Sequence, residues 1–224
     1  MKSLNFLRRI HLFRDFTDEE LRDIAPILQE RDYRRGEIVL LAEETSKYMY
    51  IVKYGEVKVV QSSKNGRENI LAFHHSGETF GELALLDGQT SPATVVAKED
   101  CKVVVISKED FYRVLLFNQK VLRCLIEILS QKLRESWKII QALKYTDAET
   151  RLKFILINLA LSDGVQKPEG TCINTKVTHQ DLAEMAGTSR ETISRLISKL
   201  QQQRLLKVDA HRFTLLDDPY WKDR

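Results

Sequence analysis

Residues 178–200, THQDLAEMAGTSRETISRLISKL, have the pattern of two short helices separated by a tight turn. Ala183 is small enough to let a second helix cross closely, and Gly187, four residues later, can adopt the positive φ of a turn. Ile193 and Leu196 follow at helical spacing and are expected to close the small core between the helices. The stretch therefore predicts a helix-turn-helix, a motif whose second helix enters the major groove of DNA by its N-terminal end.

Two hydroxyl–acid pairs indicate where these helices begin. Thr178 with Asp181, and Thr188 with Glu191, each fit the capping box, in which a hydroxyl is followed three residues later by an acid. Ser189 is an alternative cap for the second helix, and in that case Glu191 faces outward and is free to contact a base. Both interpretations of Glu191 stay open at this point.

The far side of the second helix is polar from its first turn onward. A bidentate arginine on guanine is the commonest specific contact to DNA, so at least one of Arg190 and Arg195 is expected to read a base. After this helix, two apolar runs flank a turn at residues 209–211 and predict a hairpin. The residues predicted to contact DNA are Thr178, Thr188, Ser189, Arg190, Glu191, Ser194, Arg195, Lys199, Lys207 and Arg212.

The chain has 224 residues and a formal net charge of +3, which suits two domains that each bury a core. With so mild a charge, a nucleic-acid surface must be local to the C-terminal part or amplified by dimerisation. No apolar run approaches the ~20 residues of a membrane span, and the first residues lack the features of a signal peptide. We therefore expect a cytoplasmic protein with no membrane partner. No nucleophile–base set, metal cluster or Walker-type loop is evident, which argues against an enzyme.

Cysteines and histidines give no recognisable metal site. Cys101, Cys124 and Cys172 are widely separated, and we expect each to be a small buried side chain. His74 and His75 are adjacent, so on a strand they would point to opposite faces and could not easily share one ion.

From about residue 31 to 106 the chain divides into short strands separated by glycine turns, which predicts an antiparallel sandwich or barrel. One segment, residues 81–86, departs from this pattern and predicts a single helical turn opened by Gly81. Such an end can bind an anion, but an unliganded connecting turn is an equally open interpretation. The predicted strands are 38–41, 49–52, 57–60, 70–73, 94–97 and 103–106.

Residues from about 118 to 144 form an uninterrupted helical pattern without Gly or Pro. One stripe alternates spacings of four and three, as in the a/d seam of a coiled coil, and predicts pairing with the same helix of a second copy. The alternative is one helix buried inside a monomer. The seam is Leu122, Ile126, Leu129, Leu133, Ser136, Ile140 and Leu143; a second stripe, Val121, Leu125, Ile128 and Ile139, is expected to pack against the β domain.

A hinge at residues 145–147 is expected to precede another helix. Thr146 with Glu149, or Asp147 itself, can cap that helix. Residues 162–175, which contain glycine and proline, are predicted to form a loop.

The order of these parts resembles the cyclic-AMP receptor protein and fumarate–nitrate reductase regulator (Crp/Fnr) family over essentially the whole chain. The most specific motifs are residues 77–83, GETFGEL, and 188–195, TSRETISR. The resemblance implies an α+β protein: an N-terminal antiparallel β-roll (a cyclic-nucleotide-binding-like jelly roll) in 1–117, a dimerisation helix and hinge in 118–145, and a C-terminal winged helix-turn-helix in 146–224. It implies a homodimeric transcription regulator that binds double-stranded DNA, senses a small-molecule effector and contacts RNA polymerase.

Base-reading roles are implied by position within the family. Arg190, Glu191 and Arg195 match those of the cyclic-AMP-responsive branch, whereas Glu191, Ser194 and Arg195 match those of the oxygen-responsive branch. They imply a palindrome whose half-sites have a TGA-like core, with Arg195 on guanine and Glu191 accepting from a cytosine amine. A module whose winged helix makes protein contacts is an alternative that these outward polar residues disfavour.

The effector pocket implied by the family departs from the cyclic-nucleotide pattern. Members that bind cyclic nucleotides carry an arginine that neutralises the phosphate, and Ser91-Pro92 occupies that place here. Trp137 is bulky enough to fill the room of the purine, so cyclic AMP is disfavoured, and a cyclic-AMP-responsive regulator with a degenerate phosphate loop is the alternative. The implied pocket residues are Gly81, Glu82, Leu83, Ser91, Ser136 and Trp137.

Other members of the family sense through an iron–sulfur cluster or haem, and this sequence lacks a recognisable ligand pattern for either. The oxygen-sensing branch has an N-terminal cysteine cluster, whereas the first cysteine here is Cys101, which argues against an iron–sulfur cluster. Haem ligation through His11, His74 or His75 stays open, without a recognisable ligand pattern.

Overall fold

The computed structural model describes residues 4–45, 47–62, 68–143, 147–209 and 211–221. Contacts divide the chain into two units, residues 1–133 and 134–224. The boundary between the units falls inside the long helix, whereas the sequence predicts residues 118–145 as a separate segment.

The first unit begins with short helices that cover one end of its core. They are α1 (Leu4–Leu7) and α2 (Asp18–Ile24), with 3-10 turns at His11–Phe13 and Ala25–Ile27. A capping box starts α2: the Thr17 hydroxyl accepts from the Glu20 amide, and the Glu20 carboxylate accepts from the Thr17 amide.

Two antiparallel four-stranded sheets form the β-roll, in the orders β1-β8-β3-β6 and β2-β7-β4-β5. Their facing sides bury a cluster that includes Val52, Phe80 and Val103, as the alternating strand pattern predicts. The fold class expected from the sequence is confirmed. The strands are β1 (Leu28–Tyr33), β2 (Ile38–Leu40), β3 (Tyr48–Tyr54), β4 (Val57–Ser62), β5 (Glu68–His74), β6 (Thr79–Phe80), β7 (Thr94–Ala97) and β8 (Cys101–Ser107).

Strands β1 and β6 were not among the predicted strands. β1 is at the edge of its sheet and pairs only with β8, so most of its side chains face outward and its sequence, LQERDY, lacks an apolar run. β6 is two residues long and pairs with β3. Neither has the apolar alternation from which strands are recognised.

Three helices complete this unit and lead into the next. They are α3 (Glu82–Asp87), α4 (Lys108–Asp110), which continues as a π-helical turn at Phe111–Leu115, and the long α5 (Gln119–Leu143). The second stripe of α5 packs as predicted where it is described: Val121 and Leu125 are buried in the core, and Ile128 is partly buried against it. The side chain of Ile139 lies outside the described residues.

The second unit contains three helices and one antiparallel sheet with the order β11-β12-β10-β9. Asp147 caps the first helix by accepting from the Thr150 amide at 2.7 Å, whereas the alternative cap, Thr146, lies outside the described residues. The elements are α6 (Ala148–Asp163), β9 (Gly164–Lys167), β10 (Gly170–Ile173), α7 (His179–Ala186), α8 (Arg190–Gln202), β11 (Leu206–Asp209) and β12 (Arg212–Leu216).

The loop predicted at residues 162–175 is wrong, because β9 and β10 form a hairpin there. β9 is exposed at all four positions and shows no apolar pattern. β10 gains its place by pairing with β12, which follows about forty residues later in the chain. The glycines and Pro168 that suggested a loop are the turn of this hairpin and its ends.

The small core between α7 and α8 differs in one position from the expected one. Ala183 and Ile193 are buried as predicted. Leu196 is only half-buried, and Ile197 and Leu200 take the interior instead. Positions 193, 197 and 200 follow the four-three spacing of one helix face.

No helix in the described part of the chain is both long enough and apolar enough to cross a membrane.

Candidate DNA interface and effector pocket

The turn between α7 and α8 has the predicted geometry. Gly187 adopts φ 59° and ψ 42° and ends α7, and the Thr188 amide then donates to the Ala183 carbonyl. This left-handed conformation is one that a residue with a Cβ rarely adopts. It brings α8 back across α7 within three residues.

Thr178 is the N-cap of α7, and its capping box with Asp181 is present on both sides. The Thr178 amide and hydroxyl both donate to the Asp181 carboxylate, each at 2.8 Å. A phosphate contact requires a donor, and both donors of Thr178 are used inside the capping box. Thr178 is thus fixed at the start of α7 by its capping box, and its contact with DNA stays a prediction.

Ser189, and not Thr188, caps α8: its hydroxyl accepts from the Thr192 amide at 3.2 Å. The predicted Thr188–Glu191 capping box is therefore wrong, and the alternative interpretation is the observed one. Glu191 is exposed in the first turn. Its pKa is lowered by its own backbone N–H and by the Ser189 hydroxyl, so the carboxylate is ionised near neutral pH and can only accept hydrogen bonds.

The outward face of α8 presents Arg190, Glu191 and Arg195 to solvent, while Ser194 is half-buried. Ser194 contacts His179 at the first position of α7, with 2.9 Å between its Oγ and the histidine Nδ1. Sequence reasoning missed this contact, because the two residues lie on different helices and only the turn geometry brings them together. Burial, then Arg190 and His211, lower the pKa of His179.

Two lysines that are predicted to contact DNA form ion pairs within the second unit. Lys199 Nζ lies 2.7 and 2.9 Å from the two carboxylate oxygens of Glu149. Lys207 Nζ lies 2.9 and 3.1 Å from those of Glu169, and this contact raises the pKa of Lys207. Each lysine would have to exchange a carboxylate for a phosphate on binding DNA. Arg212, the first residue of β12, is exposed next to the turn that joins β11 to β12.

The predicted seam of α5 is largely exposed in the single chain. Ile126 exposes 66% of its surface, and Leu122, Leu133 and Ile140 are exposed as well. Ser136 is exposed and Leu129 is half-buried, whereas the side chain of Leu143 lies outside the described residues. A stripe of large apolar side chains in water marks a surface suited to a partner.

In the roll, Gly81 caps α3 in the left-handed region, with φ 78°. A Cβ at this position would lie 2.8 Å from the ring of Tyr50, so both the turn and the packing require glycine. The next residue, Glu82, is 1% exposed, whereas Leu83 points outward and is 40% exposed.

A buried ion pair holds Glu82. Lys132 of α5 donates to its Oε1 at 2.7 Å and approaches the Thr79 carbonyl at 3.3 Å. Among the described residues, Glu82 Oε2 and Thr79 Oγ1 are buried without a hydrogen-bond partner. The acidic position of the family motif is thus already engaged by a cation of the same chain.

The remaining predicted pocket residues are divided between the two units. Ser91 is buried, and its hydroxyl donates to the Ala93 carbonyl at 2.9 Å while its backbone pairs with residues 43 and 44. It therefore stabilises its own loop. Ser136 and Trp137 belong to the second unit, and Trp137 is 60% exposed.

The predicted burial of the three cysteines is confirmed, and all are free thiols. Burial raises the pKa of Cys101 to about 11 and also raises that of Cys124, so these two are poor nucleophiles. His74 stacks on Phe80 and lies 3.2 Å from a carboxylate oxygen of Glu78. No group of three potential metal ligands occurs in the ranges that the structure describes.

A β-roll, a long helix and a winged helix-turn-helix, in this order along the chain, define a class of DNA-binding transcription regulators. Models of two families match this chain: the cyclic nucleotide-binding domain over residues 30–117 and the Crp-like helix-turn-helix domain over residues 150–219. The second match includes the whole of α8.

Relatives in sequence and in structure are also transcription regulators of this kind. The cAMP-activated global transcriptional regulator CRP of Salmonella typhimurium is 32% identical, over 81% of this chain and 85% of that protein. The cyclic AMP receptor protein of Thermus thermophilus is 28% identical, over 88% of each chain. The c-di-GMP responsive global regulator CLP of Xanthomonas campestris has the same fold, with a TM-score of 0.74 at 23% identity, over 90% of this chain and all of that one. The chain belongs to the Crp/Fnr family of transcription regulators, and it is a DNA-binding regulator of transcription.

Proposed function

We propose that the protein is a homodimer that reads a palindrome with TGA-like half-sites under the control of a small-molecule effector other than cyclic AMP. The observation that carries the proposal is the capped N-terminal turn of α8, which exposes Arg190, Glu191 and Arg195 on one side of the helix. This is the end by which a recognition helix enters the major groove. RNA polymerase is the protein partner expected from the family.

Arg195 and Glu191 carry complementary hydrogen-bonding chemistry. The guanidinium of Arg195 can donate two parallel hydrogen bonds to O6 and N7 of guanine. The ionised Glu191 can accept from the N4 amine of cytosine, which guanine, thymine and adenine do not offer in the same position. Together they can read the guanine and the cytosine of one G·C pair, and a TGA-like core contains one such pair.

The dimer is proposed from the exposed stripe of α5. Ile126, Leu133 and Ile140 would each leave water on pairing with a second copy, and apolar burial of this kind drives most protein association. A two-fold dimer also matches a palindromic site, because each subunit then meets one half-site.

Cyclic AMP is disfavoured because the roll offers its phosphate no countercharge at the family position. Ser91 replaces the arginine there, and its hydroxyl is engaged by its own loop. The cation that is present, Lys132, already pairs with Glu82. One relative is named as cAMP-activated and another as c-di-GMP responsive. Because relatives differ in effector, the effector of this chain has to be identified from its own residues. Isothermal titration with cyclic AMP tests the proposal, and micromolar binding would contradict it.

A visible absorption spectrum of the purified protein tests the other sensing groups. We expect no iron–sulfur bands, since the three cysteines are buried singly and far apart in sequence. A Soret band would assign haem, with His11, His74 and His75 as the ligands to substitute first.

The function itself is tested by fluorescence anisotropy with a TGA-bearing palindrome and a scrambled duplex, at two salt concentrations. Arg195→Lys keeps the charge but loses the bidentate fork. We expect it to remove about 1–3 kcal/mol of preference per half-site and to leave the affinity for scrambled DNA nearly unchanged. The matched control, Arg212→Lys, should keep the preference. Equal weakening of Arg195→Lys on both duplexes would reduce Arg195 to a phosphate contact.

A further inference from the structure

His179 contacts both α8 and strand β12. Its Nδ1 lies 2.9 Å from Ser194 Oγ on α8. Its ring lies against Phe213 of β12, with 6.3 Å between ring centroids at 42°. Phe213 is fully buried, so the imidazole is held between the core of the unit and the groove-facing side of α8.

Ser194 can serve DNA in two ways, because a hydroxyl has one donor and two acceptor lone pairs. The contact with His179 decides which of these faces the groove. If Ser194 donates its proton to Nδ1, its oxygen offers only acceptors to a base. If Nδ1 donates to the oxygen, the hydroxyl proton is free to donate to a base.

Protonation of the imidazole removes one of the two arrangements. A neutral ring can accept at Nδ1, whereas a charged ring carries a proton on both nitrogens and can only donate. The charged groups that face His179 are Arg190 on α8 and His211 in the turn before β12, and both lower its pKa, as does burial. The ring is thus neutral near pH 7 and gains its proton on acidification.

We propose that His179 sets the hydrogen-bonding polarity of Ser194, so that its protonation state tunes which base pair the recognition helix prefers. When His179 is neutral, Ser194 can accept from the exocyclic amines of adenine or cytosine. When His179 is charged, the proton of the Ser194 hydroxyl is free to donate to O6 and N7 of guanine or O4 of thymine, although one lone pair of its oxygen can still accept. His179 is then a positioning residue that acts through Ser194. This inference rests on the proposed function, because it requires Ser194 to face a base.

The test measures ratios of affinity. Protonation adds a positive charge and strengthens binding to every DNA sequence, so absolute affinity is not informative. A set of palindromes is varied symmetrically at each half-site position. Their dissociation constants are compared at about pH 8 and at a pH below the ordinary imidazole pKa of about 6.5, chosen so that an NMR titration shows His179 to be charged, because its pKa is lowered. At one position, we expect the affinity for sites with guanine or thymine, divided by the affinity for sites with adenine or cytosine, to be higher at the lower pH by about two- to tenfold per half-site, the effect of one hydrogen bond.

Three variants assign this change to the pair. Ser194→Ala should abolish the pH dependence of the ratio by removing the hydroxyl. His179→Asn should also abolish it while keeping a polar atom near Nδ1, and it protects the test against a variant that fails to fold. His211→Asn is the matched control: His211 has φ 64°, which asparagine tolerates, and this variant should keep the pH dependence.

Two outcomes overturn the inference: a wild-type ratio that does not change with pH, or a pH dependence that persists in His179→Asn. Either leaves the proposed function standing as long as the preference that depends on Arg195 is intact. Loss of all sequence preference in the wild-type protein would instead contradict the proposed function itself.

Discussion

Helices α5 and α8 both present side chains to solvent, but of opposite kinds. On α5 the exposed stripe is apolar, with Ile126, Leu133 and Ile140 in water. On α8 the exposed face carries Arg190 and Arg195. Exposed apolar area is unfavourable and is relieved by another apolar surface, whereas exposed charges are well hydrated and meet a polyanion by exchanging counterions. The difference indicates a protein partner for α5 and a nucleic acid for α8.

The largest expected effect comes from breaking the apolar face. Ile126→Glu should separate the dimer, since each copy loses about 1.5–3 kcal/mol of side-chain burial and two copies are affected. The dimerisation constant should weaken by about two to four orders of magnitude, as measured by sedimentation equilibrium. Ile38→Glu changes an exposed isoleucine on the roll and is the control, which should stay dimeric. Equal behaviour of the two variants would remove the assignment of α5 as the interface.

The next largest effect is a loss of stability on removing Lys132, which lies on another face of α5. Lys132→Met should destabilise the protein by about 3–5 kcal/mol, because Glu82 is left as an unpaired buried carboxylate. Adding Glu82→Gln should restore most of the loss, as measured by urea unfolding.

Lys120 of the same helix provides the matched control for this pair. Its ion pair with Glu20 is much more exposed than that of Lys132, so Lys120→Met should cost far less. If Lys132→Met and Lys120→Met were equally mild, Lys132 would not be a structural countercharge.

The smallest effect concerns a carboxylate near α8. Glu149→Gln releases Lys199 from its ion pair and leaves it free to contact phosphate. We expect a modest gain in affinity for every DNA sequence and a salt dependence steeper by about 0.9 in log–log slope for each added phosphate contact. Glu20→Gln removes a carboxylate from the first unit and should change neither quantity. An unchanged slope in Glu149→Gln would show that Lys199 does not reach DNA.

The DNA-reading part could be predicted from sequence because its determinants are local. The turn depends on Gly187, and the helix starts depend on Thr178 and Ser189, all within a dozen residues of one another. The sequence leaves open whether Thr188 or Ser189 caps α8, and the structure shows that it is Ser189. The contact between His179 and Ser194 was missed, since it depends on how tightly the two helices cross.

The β-roll and the β9–β10 hairpin are harder to predict from sequence, because the residues that determine them are distant from one another in the chain. β10 is fixed by pairing with β12, and no local pattern marks β9. Likewise, Glu82 meets Lys132 across fifty residues. A family motif identifies Glu82, but it carries no information about which cation of this chain occupies the space beside it.

Selection of binding sites from random duplex DNA by the wild-type protein shows whether the protein reads a two-fold symmetric site and whether Arg195 reads guanine in it. We expect enrichment of a two-fold symmetric site whose TGA-like half-sites are centred about 10–10.5 base pairs apart, with the guanine preference lost in Arg195→Lys. Enriched sequences without symmetry, or a preference that survives in Arg195→Lys, would contradict this expectation.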